Sequence, residues 1–126
     1  MVAFVDKDDQ HHEQCVGTLR DINEPLATVW PALTEALYLL SDLPAGQDAV
    51  WEMILRGAVS ILPLDVTDVP RIRELMHKYR DRGMDLADAA LIRAGERENT
   101  RTYFTTDKRD FSVYRLHGRV RPVLLP

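Results

Sequence analysis

MDLADAALIRAGERENTRTYFTTDKRDF, residues Met84 to Phe111, places four aspartates around two elements of different type. Leu86, Ala89, Ala90, Ile92 and Ala94 recur at helical spacing, and Thr102 to Thr106 form a β-branched and aromatic run. The stretch therefore predicts a helix opening on acids, followed by a strand ending on one. Asp85 and Asp88, three residues apart, share a face near the helix N-terminus, where the helix dipole favours negative charge. Asp107 follows the strand, and in an open α/β sheet the ligand crevice lies outside the carboxyl ends of strands. Each acid also has a plain structural reading: Asp85 as a helix cap, Asp107 as a turn former, and Asp110 as a surface or supporting group. Asp88 lies one turn into the helix among alanines, where capping no longer accounts for it.

Upstream, Cys15, Val16, Leu19 and Ile22 suggest a first helix over about Asp8 to Asp21. Leu26 to Val29 reads as a short buried strand leading into Trp30-Pro31, a good helix start. The helix from Pro31 to Leu40 is apolar around most of its circumference, which predicts burial. Glu35 is its one charge, with no basic residue within a turn, so it must reach solvent, pair at a distance or share a cation with other acids. A second helix spans Gln47 to Arg56, closed by Gly57, and a strand over Ala58 to Leu62 stops at Pro63. Thr67 is a candidate cap for a helix from Asp68 to Tyr79, and Val120 to Leu125 is the best candidate for a last strand. The alternation predicts an α/β domain with a mostly parallel central sheet covered on both faces.

The totals narrow the function classes. At 126 residues the chain suits one domain, residues 1 to 126. Its formal net charge of −4 excludes a nucleic-acid binder that works by bulk positive charge. The charge is uneven: residues 1–70 hold 3 Lys/Arg against 12 Asp/Glu, and residues 71–126 hold 13 against 8. A single cysteine, Cys15, forms no internal disulfide and reads as a small buried hydrophobe in a reducing cytoplasm. No apolar run approaches the roughly 20 residues that span a bilayer, and the N-terminus has no signal-peptide pattern. His11 and His12 are adjacent and so lack the zinc-site spacing, and Asp6, Asp8 and Asp9 lack the glycine and glutamate of a calcium loop.

Carboxylates converging from separate elements repel one another unless a hard cation neutralises them, and oxygen-only donors suit Mg²⁺ or Mn²⁺. Such a site supports phosphodiester hydrolysis. PALTEAL after a short strand, DLADAALIRAGE opening a helix and TTDKRDF after the next strand together resemble the PIN domain, in particular VapC-like toxins of bacterial toxin-antitoxin pairs. DKDDQHHEQC resembles that family's first helix. The resemblance implies a PIN-like three-layer α/β/α sandwich, a Mg²⁺- or Mn²⁺-dependent endoribonuclease, a homodimer and a cognate antitoxin. By position, Glu35, Asp88 and Asp107 correspond to the family's second, third and fourth acids, with Asp85 a further metal ligand and Asp110 a neighbour. The family normally begins with a strand ending in the first acid, which implies an N-terminally short domain here. The alternative is that Met1 to Val5 is that strand and Asp6 its acid.

Arg93, Arg97, Lys108 and Arg109 flank the acidic stretch and are the first candidates for steering RNA. Arg71, Arg73, Lys78, Arg80 and Arg82 read as a solvated helix face, or else as phosphate contacts. Trp30, Leu37, Tyr38 and Trp51 read as core or interface. Two other functions compete: a relative that binds an antitoxin or RNA without cutting, and a receiver-type phosphorylation domain. The latter expects an acceptor aspartate after the third strand, where only Asp65 is near.

Overall fold

The computed structural model describes residues 13, 14, 17, 26–104 and 108–125. β1 (Leu26–Thr28) runs through fully buried Val29 into α1 (Trp30–Leu39), with Pro31 in the first turn, where its missing N–H costs nothing. α2 (Pro44–Leu55) also begins on a proline, three residues earlier than the sequence suggested. It ends before Gly57, whose φ of +81° lets the chain turn back into β2 (Val59–Ile61). β1 and β2 pair in parallel, Leu26 opposite Val59 and Thr28 opposite Ile61, and the two helices between them form the required crossover.

A short 3₁₀ turn, Val66–Asp68, precedes α3 (Val69–Lys78). The cap of the turn is Asp65, which accepts from the Thr67 N–H at 2.8 Å, while Asp68 accepts from the Asp65 N–H at 3.0 Å. Thr67, expected to cap the helix, instead donates to Asp65; Asp65 and Asp68 complete a reciprocal capping box on the turn, and α3 itself starts from Asp68 with no side-chain cap bond. After Gly83, at φ +71°, come α4 (Leu86–Arg97) and β3 (Thr102–Phe104). A single helical turn, α5 (Lys108–Phe111), and a hairpin closed by Leu116 and Val120 lead to β4 (Val123–Leu125), which pairs with β3 in parallel. Among the described residues the strands form two parallel pairs. The α/β order and the parallel pairing agree with the sequence reading.

α4 is the structural centre. Ala87, Ala89, Ala90, Ile92, Ala94, Gly95 and Glu96 are all buried, so the helix packs on more than one side. Ala90 and Ala94 meet Val29 at the root of α1, and Ala89 and Ile92 join Leu75, Tyr79, Tyr103, Phe111 and Tyr114 in the largest core cluster. Small side chains make such close approach possible. A Cβ on Gly95 would collide with the Tyr103 hydroxyl and come 2.9 Å from the Thr100 carbonyl oxygen.

α1 is less buried than its composition predicts. Leu33 and Ala36 are buried, while Trp30 is 52% and Tyr38 76% exposed. Helical geometry explains this: among the described residues α1 and its C-cap pack through Leu33, Ala36 and Leu40, and residues on its other faces are exposed whatever their hydropathy. Trp51 is also exposed, so the core reading fails for Trp30, Tyr38 and Trp51.

Candidate active site

The packing of α1 on α4 makes a groove of about 560 Å³ between them. Trp30, Pro31, Thr34, Glu35 and Tyr38 line it from α1, and Asp85, Leu86 and Ala87 from the start of α4. Glu35 is exposed, which resolves the problem of a charge on an apolar helix: its carboxylate stands at the groove rather than in the core. Two acids 50 positions apart in sequence thus share one wall-to-wall space.

Asp85 caps α4. Its backbone is extended (φ −95°, ψ 177°), and its Oδ1 accepts from the Asp88 N–H at 2.9 Å. The capping expectation holds, and the same residue faces the groove with Glu35. Asp88 is half-buried on the first turn, and its Oδ2 accepts from the Tyr114 hydroxyl at 3.0 Å. The sequence reading missed Tyr114, and no local pattern signals it, since the two residues are 26 apart. Asp107 and Asp6 lie outside the described residues. Asp110 pairs with Arg82 at 3.3 Å, consistent with a supporting or surface role.

Two arginines singled out for RNA have structural partners. Asp68 is fully buried; its Oδ1 accepts from Arg93 Nε and its Oδ2 from Arg97 Nη1, each at 2.8 Å. Arg97 also donates to the Pro63 carbonyl. Burial pushes the Asp68 carboxyl up, but the Asp65 N–H and the two guanidinium groups outweigh it and hold the group below the usual carboxylate range. Arg93 and Arg97 therefore clamp the turn before α3 to α4. Arg109 is exposed, and Lys108 opens α5.

A second clamp fixes the same, C-terminal half of α4. Glu96, 4% exposed, accepts from Arg71 Nε at 2.9 Å and Nη2 at 2.8 Å, and also from the His117 N–H. Burial raises its carboxyl, and the Arg71 and His117 contacts more than reverse this. Arg71 also pairs with Glu74 at 2.7 Å, so it is no free phosphate ligand.

The donors at the groove are carboxylate oxygens, the type that suits a hard divalent cation. Among the described residues no group of three His, Cys, Asp or Glu gathers closely enough to hold an ion unaided. Glu35, Asp85 and Asp88 do not form such a group by themselves, and Asp107, the further expected ligand, lies outside the described residues.

The α/β order, the acid-bearing helix start and the groove it shares with α1 define a class of protein. The PIN domain family model matches residues 1–116, and the chain belongs to that family. It is also 27% identical over 129 residues to Ribonuclease VapC26 of Mycobacterium tuberculosis, an alignment covering 100% of this chain and 95% of that protein. Among the described residues no helix is long and apolar enough to cross a membrane.

Proposed function

We propose that this chain is a metal-dependent endoribonuclease that hydrolyses RNA phosphodiester bonds, the toxin of a cytoplasmic toxin-antitoxin pair, acting as a homodimer. The observation that carries this reading is the groove that Glu35 and Asp85 line from opposite helices, in a chain whose PIN match spans residues 1–116. The similarity to a ribonuclease supports the substrate class.

Glu35, Asp88 and Asp107 would hold Mg²⁺ or Mn²⁺, with Asp85 beside them. When bound, the cation would lower the pKa of a water and neutralise charge on the scissile phosphate. The chain's own part is to set the donors. Asp85 fixes the first turn of α4 through the Asp88 N–H, and α1 brings Glu35 across the groove. The RNA strand has a place to continue. On the other side of Leu86 lies a groove of about 520 Å³, with an apolar floor that includes Ile72, Met76 and Met84, and with Arg73, His77 and Arg80 along it. Phosphate contact is assigned to Arg73 and Arg80 together with Lys108 and Arg109, since Arg93 and Arg97 would have to abandon Asp68 to reach RNA.

The test is cleavage of single-stranded RNA with Mg²⁺ or Mn²⁺ and with a chelator, for the unaltered chain and for Glu35→Gln, Asp88→Asn and Asp107→Asn. Cleavage that survives the chelator or all three substitutions would refute the assignment. A second reading, a PIN protein that binds RNA or an antitoxin without cutting, is favoured by the lack of a three-acid cluster among the described residues. RNA binding without Mn²⁺ binding at millimolar concentration would select it.

A further inference from the structure

We propose that Tyr114 is the positioning residue for Asp88, setting the carboxylate that receives the divalent cation; this rests on the metal-dependent reading above. Tyr114 is fully buried, and its hydroxyl donates to Asp88 Oδ2 at 3.0 Å. Its ring is held on two sides, by Tyr79 at 5.0 Å and Phe111 at 5.2 Å between centroids, both edge-on. The next residue is tied as well, since the Arg115 N–H donates to the Tyr79 hydroxyl at 3.0 Å. The phenol is thus a rigid arm with little rotational freedom left.

The segment that carries it is anchored to α4 at two points. Tyr114 grips Asp88 near the start of α4, and the His117 N–H donates to Glu96 near its end. The C-terminal segment is therefore tied to α4 near both ends of the helix, and the two anchors set the position of the hydroxyl.

Burial alone does not require this partner. Tyr103, in the same aromatic cluster, satisfies its hydroxyl on the Leu91 carbonyl at 3.0 Å, as a purely structural tyrosine does. Tyr114 instead spends its donor on a carboxylate one turn from the groove. A short side chain with two rotatable bonds gains a fixed orientation from such a bond. In metal sites, outer partners of this kind are worth about 10- to 100-fold in affinity.

The test compares Mn²⁺ affinity, by titration calorimetry, of the unaltered chain, Tyr114→Phe, Asp88→Asn and the double variant, with thermal unfolding as the control on folding. The expected result is a loss of about 10- to 100-fold for Tyr114→Phe, a loss for Asp88→Asn, and no further loss when Tyr114→Phe is added to Asp88→Asn. Unchanged affinity in Tyr114→Phe, with affinity lost in Asp88→Asn, overturns the positioning role and leaves the metal reading intact. Unchanged affinity in Asp88→Asn overturns both. Should Tyr114→Phe not fold, 3-fluorotyrosine at position 114 keeps the hydroxyl. Its fluorine resonance is expected to shift along a Mg²⁺ titration, and no shift at saturation overturns the proposal.

Discussion

Asp68→Asn is the most direct probe of how α4 is held. The substitution keeps the shape of a fully buried side chain but replaces one acceptor oxygen by an NH₂ group. In the native structure Oδ1 serves Arg93, and Oδ2 serves both Arg97 Nη1 and the Asp65 N–H. Whichever way the amide is placed, a donor then faces a donor, and two guanidinium groups lose their counter-charge. Breaking a buried pair costs about 3 to 5 kcal/mol. The two arginine side chains are 26% and 27% exposed and regain some hydration, so the lower end, about 3 kcal/mol, applies. For 126 residues this lowers the midpoint of thermal unfolding by roughly 10 °C. Because the folded carboxyl lies below its ordinary range, its contribution is present above that range and is lost as pH falls through the folded value. The difference between native chain and variant should therefore shrink in acid. Urea and thermal unfolding from pH 7 downward measure it. A loss under about 1 kcal/mol at pH 7, or a difference that grows in acid, would refute the clamp and return Arg93 and Arg97 to RNA.

Glu35→Gln should lower RNA cleavage by about 100-fold or more without altering the unfolding midpoint, since the residue is exposed; equal losses of activity and stability would show a structural role instead. Gly95→Ala should destabilise by about 3 kcal/mol, because its Cβ would meet the Tyr103 hydroxyl and the Thr100 carbonyl, and a urea midpoint unchanged from the native one would mean that α4 and β3 have room to part. RNA binding through Arg73, Arg80, Lys108 and Arg109 should weaken about 50-fold between 50 and 200 mM salt, with a shallower slope in Arg73→Glu; salt-independent binding removes these contacts. Burial, with the charge of Glu96, holds the Tyr103 phenol above its ordinary range. That stabilisation is present below the ordinary phenol pKa and is lost as pH rises through the folded value, so in ultraviolet titration the tyrosine signal that Tyr103→Phe removes should ionise only when the chain unfolds.

Periodicity and punctuation determined the elements. The prolines at 31 and 70, the glycines at 57 and 83, and the run of alanines after Asp88 are local signals, and the described elements follow them apart from α2, which starts three residues before the expected Gln47; the helix expected over Asp8 to Asp21 lies almost wholly outside the described residues. The acids opening α4 and the cap at Asp85 were equally legible, because a helix start depends on residues within one turn. Tertiary packing decided which residues those elements serve. Composition cannot say which flank of α1 meets α4, so Trp30 and Tyr38 are exposed where burial was expected. Charge near an acidic stretch looks the same whether it binds phosphate or a buried aspartate. The pairs Arg93–Asp68 and Arg97–Asp68 span 25 and 29 residues, and only the packing of α3 against α4 reveals them. The same holds for Tyr114 and Asp88: the sequence marks an acid on a helix face, and only the fold brings a phenol from 26 residues away to hold it.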